Sequence, residues 1–387
     1  MVKILLATDF SNGFSRDLLR GVIRYIHNKP DWTLYRMPKY YKVLHGENEV
    51  LKWAKRWNVD AIIAQIDELD LEELKNLNIP VVIQNNKKRI PGVVNLTGDY
   101  MALGAMAADY FMTLGYESFA YFGTRNTVWS RERHEGYTRR LEATGYSVNT
   151  FWEDNDTAED WVHNLDAIGN WLKRLPKNTA IFACNDYHAL TISETCRFVG
   201  ISVPDDLAIL GVDNDELLCN ISTPPLSSMI IDAEKGGYVV GKVIDEMLAD
   251  PGKEPFNIIL PPQQIITRES TKKYVVRDKY VAVAIDFIEK NYFTKITVSD
   301  ILELVPISRR VFERRFKTAV GSSIYSFICN YRVEKVAELL LTTNRSIEDI
   351  AISCGFENGR NISRIFTSIK GMTPSEFRGH SLSQKAK

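Results

Sequence analysis

The sequence predicts an α/β body of doubly wound parallel sheets followed by an all-α tail with two helix-turn-helix units. Three observations carry that prediction. Short apolar runs alternate with amphipathic helical stretches through the first 270 residues. One helical pattern then occurs twice, about fifty residues apart. The charge is also divided. The 387 residues carry a net charge of −1, with 48 Lys+Arg and 49 Asp+Glu. Residues 275–387 hold 18 of those cations and 12 of the anions, which leaves 30 and 37 for the body. A basic tail on an acidic body suits a nucleic-acid reader joined to a separate control domain.

In chain order the apolar runs are Lys3–Thr8, Val59–Gln65, Pro80–Asn85, Phe119–Gly123, Ala180–Asp186 and Leu207–Asp213. Runs of this kind mark strands buried on both faces, and they are numerous enough for two sheets. Leu18, Leu19, Val22, Ile23 and Ile26 make one helical stripe. Met106, Tyr110, Met112 and Leu114 belong to another helix, which ends at Gly115.

Parallel sheets place ligands at the carboxyl ends of their strands. Here those ends are polar: Asp9, Gln65, Gln84, Asn185-Asp186 and Asp213-Asn214-Asp215, with Trp129 and Arg131 to Arg133 after the Phe119–Gly123 strand. Carboxylates, amides and guanidinium groups suit vicinal hydroxyls, each of which both donates and accepts. Trp129 or Phe10 can cover the C–H face of a sugar. Taken singly, an Asp or Asn after a strand is more often a helix N-cap. Together these residues point to a small polar ligand.

The tail follows a short charged segment, 271–279. Its first unit places Val298, Ile301, Leu302 and Val305 on one stripe, and the second repeats those intervals with Ile347, Ile350, Ala351 and Cys354. Thr297 with Asp300, and Ser346 with Asp349, are capping-box signals at the two starts. A break and a second helix follow in each unit. In Ser308–Val320, Val311, Phe312, Phe316 and Ala319 share one face, while Arg309, Arg310, Glu313, Arg314 and Lys317 fall on the other. Arg315 lies nearer the apolar side and reads as structural. In Asn358–Lys370, Ile362, Ile365, Phe366 and Ile369 face inward, while Arg360, Ser363, Arg364 and Thr367 face outward. A guanidinium-lined helix fits the major groove of double-stranded DNA, where Arg pairs with guanine O6 and N7. A lone charged face is usually only solvated, but two matching units in one chain argue for DNA reading. The first unit has more cations and is expected to dominate sequence preference.

Enzyme readings find no purchase. There is no G-x-G-x-x-G, no phosphate-binding G-K-[ST] loop and no serine elbow. His134-Glu135 is followed by Gly136-Tyr137, so a metal-binding helix fails. No catalytic residue, cofactor or metal site is expected. The five cysteines (Cys184, Cys196, Cys219, Cys329 and Cys354) are scattered and imply no disulfide framework. With no signal peptide and no apolar run of membrane length, a cytoplasmic protein is expected.

The tail resembles the DNA-binding domain of the AraC/XylS regulators over residues 278–378. The residues that carry it are Ala351–Glu357, Ile365–Arg378 and Ile307–Lys317 with Gly321. The resemblance implies base reading from Arg310, Glu313, Arg314, Arg360 and Arg364. The chain departs from the family pattern at Ile362, usually an aromatic, and at Thr367, usually a Lys. The body resembles the sugar-sensing core of the LacI/GalR regulators, with their two-lobed periplasmic-binding-protein-like fold. Arg133–Tyr137, Ala183–Asp186, Val203–Asn214, Pro224–Ser228 and Arg268–Thr271 carry it. It implies Arg133, Asn185 and Asp213 as sugar ligands. The pairing of such a sensor with such a reader resembles pentose-operon regulators, which adds Arg16 and Trp129 to the ligand set. It implies a transcription activator with a pentose effector, xylose ahead of arabinose or ribose. The implied partners are operator DNA, a second copy through the sensor, and RNA polymerase. The expected boundaries are a sensor at 1–270, a linker at 271–279 and a DNA-binding domain at 280–380. A sugar-binding enzyme with a DNA tether is the remaining alternative.

Overall fold

The computed structural model describes residues 1–68, 71–153, 161–271, 278–343, 345–357 and 359–378. The chain divides into two compact units, Met1–Lys273 and Tyr274–Lys387.

The first unit opens with β1 (Val2–Ala7), α1 (Gly13–Ile26), β2 (Trp32–Arg36), α2 (Lys39–His45), α3 (Glu49–Trp57), β3 (Ala61–Gln65), α4 (Leu71–Lys75), β4 (Val81–Gln84) and β5 (Val94–Gly98). It continues with α5 (Tyr100–Thr113), β6 (Ser118–Gly123), α6 (Val128–Glu142), β7 (Val148–Trp152), α7 (Trp161–Arg174), β8 (Thr179–Ala183) and α8 (Asp186–Phe198). Then come β9 (Leu207–Val212), α9 (Glu216–Ile221), β10 (Ser227–Ile231), α10 (Ala233–Ala249), β11 (Asn257–Leu260) and β12 (Pro262–Ile266). Two six-stranded sheets result, ordered β11-β5-β4-β3-β1-β2 and β12-β10-β9-β8-β6-β7. Every neighbouring pair is parallel except β10 with β12. The fold is therefore two parallel-sheet lobes, and the chain passes between them after β5, before β11 and again before β12.

The six apolar runs became β1, β3, β4, β6, β8 and β9, all interior strands. The four edge strands, β2, β7, β11 and β12, carry no such run because one side of each is wet. β5 and β10 are interior yet contain buried Asn95, Thr97, Ser227 and Ser228. Asn95 bonds Ile90 and Asn257, and Ser227 bonds Arg268 and Thr271, so polar side chains are satisfied within the sheet and break the apolar pattern.

Each lobe carries one helix pair in backbone contact. A Cβ on Gly21 of α1 would lie 1.8 Å from Glu234 O of α10, and one on Gly237 would lie 1.9 Å from Leu18 O. In the other lobe, a Cβ on Gly104 of α5 would lie 2.1 Å from Arg133 O, and one on Gly136 of α6 the same distance from Met101 O. Two expectations about these helices can be compared with the structure, and one of them is corrected. The helix expected to hold Met106, Tyr110 and Met112 and to stop at Gly115 is α5, capped at Leu114, and it buries Leu103, Gly104, Ala107, Ala108 and Phe111. On α1, Leu18 and Val22 are buried but Ile23 is exposed.

The second unit contains α11 (Lys279–Asn291), α12 (Val298–Glu303), α13 (Arg309–Val320), α14 (Ile324–Thr342), α15 (Ile347–Ser353) and α16 (Gly359–Lys370). Two cores share the long α14. Its first half places Ile324, Phe327 and Ile328 among Val281, Ile301, Phe312 and Phe316. Its second half places Val333, Val336 and Leu340 among Ile350, Cys354, Ile362 and Phe366. Arg332 sits at the joint. Its Nε donates to Tyr292 O (2.8 Å) and its Nη2 to Thr294 O (2.7 Å), while its guanidinium lies over Phe356. Gly355, at φ +83°, turns α15 toward α16 there, and a Cβ on it would lie 2.2 Å from Tyr292 O.

Candidate functional site

The carboxyl ends of the parallel strands bring together polar groups from both lobes. Arg133 is the hub on the second lobe. It projects from α6, is 4 % exposed, and stacks between Trp129 and Tyr100, each ring centroid 5.2 Å away. Its Nη1 donates to Cys184 O, and its Nη2 stands 3.8 Å from Asp213 Oδ1. A buried cation sandwiched between aromatic rings is held in place by packing as much as by charge.

Asp213 follows β9 with φ +102°, a backbone conformation few non-glycine residues adopt. Such strain persists where the surroundings enforce it, and it concentrates at binding sites. Burial pushes its carboxyl up to about 6 even though Arg133 pulls the other way. Asp213 does not cap α9; Asp215 does, by accepting from Leu217 N. Asp186 lies beneath this loop. Its carboxylate accepts from Asp215 N (2.8 Å) and Ser228 Oγ, and burial with the neighbouring Asp213 charge raises it to about 8. Asn185 caps α8, its Oδ1 accepting from His188 N at 2.9 Å.

The first lobe faces this group. Gln65 and Gln84 are register neighbours at the ends of β3 and β4. Asn86 accepts from Trp129 Nε1 (3.3 Å) through its side chain and from Val128 N through its carbonyl, so it ties the first lobe to the start of α6. Asp67 orients it by accepting from Asn86 N (2.7 Å) and Nδ2 (3.1 Å). Arg16 of α1 reaches across to Asp215 at 3.1 Å. Arg89 and Glu132 form a two-pronged pair between the lobes. Asp9 accepts from Ser11 N and pairs with Lys39. Burial raises its pKa, but Lys39 and Ser11 outweigh that and hold it low. Phe10 beside it is half-buried.

Four buried polar atoms at this place have no hydrogen-bond partner among the described residues: Gln65 Oε1, Gln84 Oε1, Thr127 Oγ1 and Arg133 Nε. An unmet buried polar atom costs about 1–3 kcal/mol. A ligand bearing several hydroxyls would offset that cost. The polar strand ends made Gln84 and Asp186 visible in the sequence. Asn86, Tyr100 and the pair His188–Glu153 gave no such signal, since their roles arise only where elements distant in sequence meet.

In the second unit the charged faces are as the helical spacing requires. Arg309, Arg310, Arg314 and Lys317 are exposed on α13, and half-buried Glu313 holds Arg309 at 2.9 Å. Arg315 bonds Asp278, the N-cap of α11, and stacks on Tyr280, so it is structural. Ser363 and Arg364 are exposed on α16; the side chain of Arg360 lies outside the described residues. Ala319 and Ile369, expected inside, are exposed. They occupy the same place in the repeat, the last turn of each helix, and Val320 rather than Ala319 packs on the first core. Thr297 and Asp300 make the full capping box, with Thr297 N donating to the Asp300 carboxylate at 2.7 Å; at Ser346 the hydroxyl accepts from Asp349 N and donates to the Asp349 carboxylate, as Thr297 does with Asp300.

Among the described residues no cluster of His, Cys, Asp or Glu could hold a metal, and no helix is long and apolar enough to cross a membrane. All five cysteines are free.

Comparison with known proteins gives two family matches: a periplasmic binding protein-like domain over residues 108–271 and a helix-turn-helix domain over residues 302–380. Over 386 residues the chain is 28 % identical to the xylose operon regulatory protein of Escherichia coli K12, covering 97 % of this chain and 96 % of the relative. The Haemophilus influenzae protein of the same name is 27 % identical, with 97 % and 98 % covered. Among solved structures, a xylose-binding transcription activator superposes over 97 % of both chains with a TM-score of 0.69 and 27 % identity. A ribose-bound LacI-family regulator from Enterococcus faecium superposes on 70 % of this chain with a TM-score of 0.58 at 20 % identity, a likeness of fold.

Proposed function

We propose that this chain, which is similar to xylose operon regulatory proteins through sensor and reader alike, is a sugar-responsive transcription activator whose effector is D-xylose. The observation that carries the reading is the convergence at the strand ends. Arg133 and Asp213 supply a donor and an acceptor, Trp129 supplies an aromatic wall, and four buried polar atoms await hydroxyl partners. Asp9, Phe10, Arg16, Gln65 and Asn185 complete the proposed ligand set, and nothing in it requires catalysis.

Binding would draw the lobes together about the passages between them, as in other hinged sensors. That change would pass through residues 271–279, of which 272–277 lie outside the described residues, to a reader at 280–380. There Arg309, Arg310, Glu313, Arg314 and Lys317 would enter one major groove, and Arg360, Ser363 and Arg364 the next, about 34 Å along the duplex. A homodimer through the sensor in the cytoplasm is part of the reading, and so is contact with RNA polymerase. Exposed Leu217 and Ile221 on α9 supply apolar surface for such a dimer.

The test is calorimetric titration of the full chain with D-xylose, L-arabinose and D-ribose. D-xylose should bind most tightly. No signal from any pentose at millimolar concentration would overturn the effector, and a monomer with both sugar and DNA present would overturn the dimer.

A further inference from the structure

We infer that His188 and Glu153 form a positioning pair that, with the backbone N–H of His188, holds the Asn185 amide with its NH2 group toward the ligand. The inference rests on the reading of Asn185 as a ligand residue and adds what orients it. Asn185 Oδ1 accepts twice, from His188 N at 2.9 Å and from His188 Nδ1 at 2.6 Å. A backbone N–H can only donate, so the atom facing it is the amide oxygen, and the assignment of O and N does not depend on the side chain alone. With both lone-pair directions of Oδ1 in use, Asn185 presents only its NH2 group outward, as a donor. Asp213 presents only acceptors.

The second donation requires a proton on Nδ1. Glu153, just past the end of β7, makes that proton secure. Its Oε2 stands 3.2 Å from His188 Nε2, so the far nitrogen donates to a carboxylate and the near one to the amide. The ring packs on Phe122 and Tyr187, centroids 5.8 and 5.7 Å away. Burial would strip the proton, but Cys184 and Glu153 overcome it and push the imidazole up to about 10. Among the described residues these are the titratable groups that act on the ring. The second lobe thus demands an acceptor oxygen from the ligand at Asn185, which a hydroxyl meets and an ammonium group does not.

Glu153→Ala removes the carboxylate that opposes burial at Nε2 and so lowers the pKa of the ring. Once the ring loses its charge the Nδ1 proton is no longer assured, and the amide keeps only the backbone donor His188 N. In Glu153→Gln the side-chain amide can donate to Nε2, which keeps the proton on Nδ1. The experiment titrates D-xylose into the full-length wild type and both variants at pH 6.0, 7.0 and 8.5, and follows the ratio of variant to wild-type Kd. That ratio cancels the titration of Asp213. For Glu153→Ala it should rise about tenfold between pH 6.0 and 8.5, and for Glu153→Gln it should stay flat. A pH-independent ratio for the alanine variant, or a glutamine variant that tracks it, overturns the inference.

A second readout needs no ligand. The ring nitrogens of His188, assigned by loss of signal in His188→Gln, should report imidazolium at pH 8 in wild type and neutral ring in Glu153→Ala. A neutral ring in wild type overturns the pair even where D-xylose binds. Failure of D-xylose to bind, with the imidazolium present, overturns the pentose reading and leaves the pair standing.

Discussion

The sensor cleft and the DNA-reading face both rely on arginine, in opposite environments. Arg133 is buried between two aromatic rings, with its charge met by a carbonyl and a carboxylate. Arg310 and Arg314 stand exposed on α13. A buried charge cannot lose its partners cheaply, because water does not replace them. An exposed one costs little to remove from the free protein and shows its worth only against a phosphate or a base. The cleft is therefore a place where stability and ligand binding are entangled. On the reading face they separate.

The sharpest test of that difference is Arg133→Ala. It should abolish the sugar response and destabilise the sensor by about 3–5 kcal/mol, read from urea unfolding of the full chain. A variant of unchanged stability would break the contrast. Asp213→Asn should weaken sugar binding by about 1.5–3 kcal/mol, roughly 10- to 150-fold in Kd by calorimetry, with operator binding retained.

The pH dependence of the same group has a definite sign. The folded carboxyl of Asp213 titrates at about 6, above the ordinary 3.8. An acid raised on folding disfavours the fold above its folded pKa and ceases to do so as pH falls toward the unfolded value. Lowering the pH from 7.5 to 5 should therefore stabilise the unliganded sensor at this group while weakening sugar binding, which needs the carboxylate. Paired melting and titration series would show the two trends running in opposite directions.

On the reading face the effects should be smaller and confined to DNA. Arg310→Ala and Arg314→Ala should each cost about 1–3 kcal/mol of binding and relax preference at one base pair, with melting unchanged. Arg364→Ala should weaken binding more evenly across sequences. Selection of bound sequences at fixed salt separates these outcomes, and a greater loss of preference in Arg364→Ala would reverse the roles of the two units. Thr367→Lys should steepen the salt dependence by about one unit of slope.

Much of this was legible in the sequence because interior strands and repeated helices announce themselves locally. β1, β3, β4, β6, β8 and β9 are apolar runs, and the two readers share one spacing pattern. Edge strands were not legible, because half their surface is wet. Nor was the inward face of α5, which is set by a glycine contact with α6 that no periodicity encodes. At the cleft, Asp213 and Arg133 could be named from strand ends and resemblance. Asn86 could not, since its significance is a bond to Trp129, 43 residues away in the chain.

The joint at Arg332 and Gly355 has a consequence for the grammar of the operator. Three elements meet there without room for a methyl group, so the two recognition helices cannot slide apart along α14. They act as a gauge of fixed length. An operator with one extra base pair between the two contact regions would present the second groove out of phase. Adding a whole turn of about ten base pairs restores phase but not reach, and it should not rescue binding by a single chain. Replacing Arg332 by Gln loosens the gauge: it should blunt the penalty for altered spacing while leaving contact with either half alone unchanged.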